Sequence, residues 1–370
     1  MDEHEQHMRR ALDLAERGWG KVSPNPLVGA LLVAPDGDVV GEGWYEGPRG
    51  APHAEVRALA AAGSKARGAT LYCSLEPCVH QGSTPPCTDA LIEAGVARVV
   101  VAAIDMNPVV DGRGLARLRE AGIEVEAGLL ADEAHHLNDA FERHVTTGLP
   151  FVVMKVATSL DGKTAAADGS SKWISSEASR ADAHGLRAWA DAIVVGSRTV
   201  LADDPSLTVR DPRWSDARPA IRVIVDSAGR VPAAGNVFDD SAPTLVATTD
   251  RAPEIRIREW QETGADVVVV DRDVAGGVSL GDLLGHLGKR DVQGVLVEGG
   301  ATLAWSFARD QLLDRVVAYL APTVLGGAAA PGMVMGAGFT PVGSGLRCTF
   351  ERIQRIGPDL KVEARVHRDR

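Results

Sequence analysis

Short apolar runs alternate with segments of helical period along nearly the whole chain, and the alternation is punctuated once, at Gly148-Leu149-Pro150. Met8, Ala11, Leu12 and Ala15 recur at helical spacing ahead of Gly18 and Gly20, which predicts an opening amphipathic helix. Strands are predicted over residues 27–34, 39–44, 69–75, 97–103 and 123–127, with Asp36-Gly37 turning the first into the second. Helices are predicted over 54–62, 86–94, 114–121 and 131–147. Beyond the break, strands are predicted over 151–157, 192–195, 220–225, 245–247, 267–270 and 292–297, with a late one within 312–320. Helices are predicted there over 177–189, 253–263 and 301–311. Strands alternating with helices pack as α/β layers. A length of 370 residues suits two domains. The Gly-Leu-Pro punctuation sets their boundary, giving 1–148 and 149–370.

The alternation leaves many functions open, and charge closes some of them. With 39 Lys+Arg against 50 Asp+Glu the net charge is −11, which disfavours a partner bound by neutralising phosphates along a nucleic acid. No apolar run approaches the roughly 20 residues of a membrane span, and the start MDEHEQHMRR has no apolar signal region. The expectation is a cytoplasmic enzyme acting on a small molecule, and a homo-oligomer. Cys73, Cys78, Cys87 and Cys348 are too few for a disulfide scaffold, so they read as thiols or metal ligands.

Three of the predicted element boundaries carry metal-ligand chemistry. His53-Ala54-Glu55 opens a helix, Pro77-Cys78 follows a strand 25 residues later, and Cys87 opens the next helix after a further nine. Singly, each would read as an ordinary core or surface residue. Together, one imidazole and two thiolates form a zinc set that leaves a position open for water, as catalytic rather than structural sites do. Zinc lowers the pKa of that water toward neutrality. Glu55, two residues past the ligand, faces the water and carries protons to a leaving amine. An H-x-E motif followed by two cysteines with a non-ligand Glu is the pattern of zinc nucleobase deaminases. The usual cysteine spacing there is C-x-x-C, whereas eight residues stand between Cys78 and Cys87.

Ser23-Pro24-Asn25-Pro26-Leu27-Val28-Gly29, His53-Ala54-Glu55 and the string from Leu75 to Cys87 together resemble the bifunctional riboflavin-biosynthesis deaminase–reductases, whose deaminase half has the same long cysteine gap. Two departures, Val79 for the usual Ser and Ala30 where many members have Cys, touch no ligand. The resemblance implies a cytidine-deaminase-like three-layer domain, with Asn25 against the substrate base.

The second half has no Rossmann fingerprint. Its motifs are Lys155-x-Ala157-x-Ser159-Leu160-Asp161-Gly162-Lys163, Gly169-Ser170-Ser171-Lys172-Trp173, the stretch from Gly196 to Arg210, and Val297-Glu298-Gly299-Gly300. They resemble the same family's reductase half, which implies a dihydrofolate-reductase-like fold and NADPH. Gly299-Gly300 before a helix suits a cofactor phosphate at the helix start, and Thr199 and Ser227 read as hydroxyls at strand ends, open to either a cofactor or a capping role. The resemblance implies cofactor contacts at Ala157, Trp173, Thr199, Asp203, Ser227, Gly299, Gly300, Ala301 and Thr302. It implies substrate contacts at Lys155, Ser171, Arg187, Leu207, Arg210 and Glu298, with Arg187 and Arg210 on the substrate phosphate. Lys155 and Glu298 read as strand-end groups that either hold polyol hydroxyls or pair with each other. Trp173 reads as a pocket wall.

The function expected is hydrolytic deamination of a phosphorylated diaminopyrimidine at 1–148, followed by NADPH-dependent reduction of its ribosyl chain at 149–370. A tRNA-adenosine-type deaminase needs a basic groove and a short cysteine gap. A non-catalytic binding protein would not need the intact set of His53, Glu55, Cys78 and Cys87.

Overall fold

The computed structural model describes residues 2–47, 50–82 and 84–368. The chain divides into two compact units, Met1–Gly148 and Leu149–Arg370.

In the first unit α1 (Glu3–Glu16) leads into β1 (Gly29–Val33) and β2 (Val39–Trp44). Then follow α2 (Ala54–Ala62), β3 (Thr70–Leu75), α3 (Cys87–Ala94), β4 (Arg98–Ala103), α4 (Arg113–Glu120), β5 (Glu124–Ala127) and α5 (Ala131–Thr147). The strands form a five-stranded sheet in the order β2-β1-β3-β4-β5. Its β1 pairs antiparallel with both β2 and β3, while β3, β4 and β5 run parallel. One face packs Ala54, Ala58, Leu91, Leu115 and Leu118 from α2, α3 and α4 against Ala30, Leu32, Leu71, Val99 and Val101. The other takes Met8, Ala11 and Leu12 of α1 and Ala134 of α5. Helices on both faces make the three-layer arrangement expected. Glycine sets the depth of α2: a Cβ on Gly43 would stand 2.2 Å from the Ala54 carbonyl, and one on Gly41 2.2 Å from that of Ala58. Only glycine lets α2, and with it His53 and Glu55, lie this close to the sheet.

The second unit runs β6 (Phe151–Ser159), α6 (Glu177–Trp189), β7 (Ala192–Gly196), α7 (Ser197–Asp203), β8 (Ile221–Val225), β9 (Thr244–Thr248) and α8 (Glu254–Glu262). It continues through β10 (Asp266–Val269), α9 (Leu280–Gly288), β11 (Gly294–Val297), α10 (Ala301–Arg309), β12 (Arg315–Ala321), β13 (Cys348–Ile356) and β14 (Asp359–Val366). Its nine-stranded sheet has the order β10-β9-β8-β7-β11-β6-β12-β14-β13, parallel as far as β12 and closed by an antiparallel hairpin. Leu283, Leu284 and Leu287 of α9 and Phe307 of α10 pack on Val194, Val223, Val295 and Val297.

Four elements of this unit are absent from the sequence reading. Leu280, Leu283, Leu284 and Leu287 do carry a helical period, and Ser279 caps it by accepting from the Asp282 amide; Gly281 and Gly285 dilute the signal. The residues of β13 are almost all exposed, so burial leaves no imprint on their sequence. Its partner β14 and the short α7 are missed with it.

Candidate active sites

The first site forms where two helices begin beside one turn. His53 is the N-cap of α2 and Cys87 the first residue of α3, while Cys78 lies in the turn after β3. His53 Nδ1 stands 3.6 Å from Cys78 Sγ and 3.2 Å from Cys87 Sγ. Among the described residues these three form a group whose ligating atoms all lie within 4.8 Å of one another. Tetrahedral zinc, with bonds of about 2.3 Å to sulfur and about 2.0 Å to nitrogen, sets such ligands about 3.5 Å apart. The donor set and its spacing therefore fit zinc.

The electrostatics suit a cation. The Cys78 thiol is drawn down to about 4, chiefly by the hydrogen bond from Cys87, with His53 assisting. The Cys87 thiol is pushed up by the same shared proton and by burial. The pair thus holds one proton where a divalent metal would replace it. The His53 imidazole is raised, mainly by its bond to Cys78. Glu55 is only 3% exposed, and burial, helped by the Cys78 charge, pushes its carboxyl up to about 7. A carboxyl poised there gives and takes protons at neutral pH.

Two residues that the sequence reading passed over hold this site. Buried Glu76 accepts the backbone N–H groups of Asp105 (3.2 Å), Gly112 (2.9 Å), Gly114 (2.8 Å) and Leu115 (3.1 Å). It thereby ties the Pro77-Cys78 turn to the start of α4, where its charge is favoured. Asn138 of α5 accepts from the Leu27 amide at 2.8 Å and donates to the Leu27 carbonyl at 3.0 Å, fixing the end of the Pro24–Leu27 stretch. Asn25 lies in that half-buried turn, its side-chain amide donating to the Val22 carbonyl at 3.3 Å. The signal for Glu76 was its place beside Pro77-Cys78; Asn138 gave none.

The second site lies at the carboxyl ends of the parallel strands, the usual crevice of an open α/β sheet. Glu298 follows β11, and its carboxylate takes both Arg187 Nε (2.7 Å) and Nη2 (2.8 Å). Arg187 Nη1 donates to the Thr208 carbonyl at 3.0 Å. Burial alone would raise the Glu298 carboxyl, but Arg187, with a contribution from Lys155, holds it down at about 2. The partner of Glu298 is therefore Arg187 rather than Lys155. Nor does Lys155 end its strand. Thr158 and Ser159 are fully buried and pair with Leu320 and Ala321, so β6 runs on past residue 157. The Lys155 ammonium lies 6.0 Å from the Tyr319 ring centroid, and Tyr319 donates its hydroxyl proton to Asp182 at 2.6 Å. Ala157 pairs with Tyr319 in register.

Thr199 also stands elsewhere than expected, within α7 rather than at a strand end, because that helix begins directly after β7. Its Oγ1 accepts the Gly300 N–H at 3.2 Å. Gly300 is the N-cap of α10, with Ala301 and Thr302 in its first turn, and as a glycine it makes no side-chain cap bond of its own. A Cβ on Gly299 would meet Leu303 Cδ2 at 2.5 Å, so glycine there leaves room for Leu303 of α10. Asp203 closes α7, and Leu207 beyond it is buried in a left-handed conformation at φ 53°. The Arg210 backbone N–H donates to His184 Nδ1 at 3.3 Å, leaving an exposed guanidinium. Ser227 sits in the turn after β8, its carbonyl accepting from Thr249 at 2.8 Å. Ser171 and Trp173 lie on the exposed segment before α6. Trp173 is 70% exposed, with the Arg180 guanidinium 4.3 Å over its ring.

Residues 150–362 match the family described as the RibD C-terminal domain, and residues 1–103 match the cytidine and deoxycytidylate deaminase zinc-binding region. The riboflavin biosynthesis protein RibD of Escherichia coli (strain K12) is 43% identical over 369 residues, covering 96% of this chain and 97% of that protein. The Bacillus amyloliquefaciens protein of that name is 42% identical over 361 residues, covering 97% and 95%. Among solved structures, Acinetobacter baumannii RibD is similar with a TM-score of 0.86 at 38% identity over 99% of both chains. A Thermotoga maritima protein described as diaminohydroxyphosphoribosylaminopyrimidine deaminase/5-amino-6-(5-phosphoribosylamino)uracil reductase aligns with a TM-score of 0.84 at 34% identity, again over 99% of both.

Proposed function

The chain belongs to the RibD family as a bifunctional deaminase and reductase of riboflavin biosynthesis, using zinc and NADPH, and from that premise we propose the substrates and the residues that carry each step. The first activity removes the 2-amino group of 2,5-diamino-6-ribosylamino-4(3H)-pyrimidinone 5′-phosphate as ammonia. The second reduces the ribosyl chain of 5-amino-6-(5-phosphoribosylamino)uracil to ribityl. The reactions in the Thermotoga maritima protein's description support both assignments.

The single observation that carries the deaminase reading is the meeting of His53 Nδ1, Cys78 Sγ and Cys87 Sγ in one group, with buried Glu55 two residues from the first ligand. These three ligands hold zinc, which when bound makes water a better acid near neutral pH. Glu55 takes a proton from the attacking water and passes it to the departing amine. Asn25 offers an amide to the base.

In the reductase, NADPH supplies the reducing equivalents. The start of α10 at Gly299, Gly300, Ala301 and Thr302 takes its phosphate, with Ala157, Trp173, Thr199, Asp203 and Ser227 along the cofactor. Glu298, held ionised by Arg187, accepts from the hydroxyls of the polyol. Lys155 supplies a proton, Arg187 and Arg210 face the substrate phosphate, and Ser171 and Leu207 line its path. Units 1–148 and 149–370 each contain one full set of these residues, so each carries one activity.

We further propose a cytoplasmic homo-oligomer. In the cytoplasm Cys78 and Cys87 stay reduced. The β13 edge, with Phe350 69% and Ile353 60% exposed, offers a strand for a second copy to pair with or cover. The main test follows ammonia release and NADPH oxidation on the pyrimidine substrate, for the whole chain and for fragments cut after Gly148. If folded 149–370 reduces the deaminated intermediate only when 1–148 is added, the assignment of one activity to each unit fails.

A further inference from the structure

The two ring nitrogens of His53 meet different surroundings. Nδ1 faces the thiols of Cys78 and Cys87, while Nε2 lies 3.3 Å from Thr84 Oγ1. Tyr45, 4% exposed, stands edge-on to the imidazole with ring centroids 5.7 Å apart. Thr84 belongs to the eight residues that separate the two cysteines.

The prolines after Thr84 restrict the backbone there. The Gly82 N–H donates to the Thr84 carbonyl at 3.2 Å. Pro85 and Pro86 follow, with φ fixed by their rings, and a residue before proline is confined to extended backbone. A β-branched side chain there has few rotamers. Cys87 comes next as the first residue of α3, so the Thr84 hydroxyl is tied closely to a metal ligand.

A neutral imidazole carries one proton. When Nδ1 offers its lone pair to a metal, the proton sits on Nε2 and needs an acceptor. We infer that Thr84 is a positioning residue of the metal centre, its hydroxyl accepting the His53 Nε2–H and so fixing the tautomer and ring angle that turn Nδ1 toward zinc. This rests on His53 being a zinc ligand. It also gives the long cysteine gap a purpose, since a two-residue gap leaves no loop to carry such a hydroxyl.

The test uses the full-length protein and three variants, T84V, T84S and H53A. Zinc affinity is read by competition with a chromophoric chelator, and ligand geometry by the visible spectrum of the cobalt(II)-substituted protein. T84V keeps the side-chain shape and removes the acceptor, so its zinc affinity should fall about 10–100-fold, the usual cost of losing a ligand's outer partner. Its cobalt spectrum should change, while T84S should stay close to wild type in both measurements. Wild-type affinity with an unchanged spectrum in T84V overturns the inference. So does a T84S loss as large as that of T84V, which would make loop packing rather than the hydroxyl responsible. H53A separates the premise from the inference. Full zinc retention in H53A refutes the ligand assignment, whereas zinc loss in H53A with none in T84V refutes the Thr84 role alone. If circular dichroism shows T84V unfolded, T84A read against T84S makes the same comparison.

Discussion

In the first unit the proposed zinc ligands come from a span of 35 residues, His53 to Cys87, while in the second the proposed site residues Lys155, Arg187, Thr199, Ser227 and Glu298 come from five segments spread over 144 positions. The compact set comes from two helix starts and the segment after β3, whose ligating atoms lie within 4.8 Å of one another. The dispersed set is fixed by strand order. Lys155 and Glu298 stand on neighbouring strands because β6 lies beside β11, and Thr199 reaches Gly300 because β7 flanks β11 on its other side. One site should therefore fail when a single ligand is lost, and the other should degrade in steps.

The largest effect tests the first half of that contrast. We expect about one zinc per chain, and Cys87→Ser should lose both the metal and ammonia release. NADPH oxidation on the deaminated substrate should survive, because Cys87 lies in the other unit. Full zinc content in that variant would remove Cys87 from the ligand set. Glu55→Gln comes next. It should keep zinc, since Glu55 is not a ligand, and slow deamination by roughly 10²–10⁴ if proton transfer is its role. Ammonia release at the wild-type rate would end the proton-shuttle assignment.

A smaller effect probes the ion pair of the second site. The Glu298 carboxyl sits at about 2, below its ordinary value of 4.5. A depressed carboxyl stabilises the fold above its unfolded pKa and loses that contribution as pH falls through the folded one. The second unit should therefore lose stability between about pH 4.5 and 2, by an amount on the order of 3 kcal/mol. Urea unfolding across that range, beside Glu298→Gln, measures it. Equal acid sensitivity in the variant would show that the pair contributes nothing to this window.

The same contrast explains what the sequence disclosed. His53, Glu55, Cys78 and Cys87 sit at predicted element boundaries, and ligand chemistry at such spacing is readable without coordinates. The short parallel strands were readable because burial on both faces leaves plain apolar runs, as at Val194 and Val297. Exposed β13 leaves no such run. The Arg187–Glu298 pair joins residues 111 apart, and no local pattern encodes that pairing. Thr84 lay inside a motif already noticed, yet its role depends on which imidazole nitrogen it meets, and only the fold shows that.

The smallest effect asks whether Thr199 belongs to the cofactor site or only to the scaffold. Its hydroxyl accepts the Gly300 N–H at 3.2 Å, at the start of the helix assigned to the cofactor phosphate. Gly300 is exposed, so in Thr199→Ala its amide can turn to water, and the stability cost should stay near 1 kcal/mol or below. If the hydroxyl also touches NADPH, losing one neutral hydrogen bond should raise the KM for NADPH about 2–10-fold. The value of kcat should barely move, because binding shared by ground and transition states acts on KM alone. Thr199→Ser should restore both values. A stability loss with an unchanged KM would make Thr199 a helix cap and no more. The dispersed site would then be smaller than the family resemblance implies, and α7 would serve to hold the start of α10 in place rather than to bind cofactor.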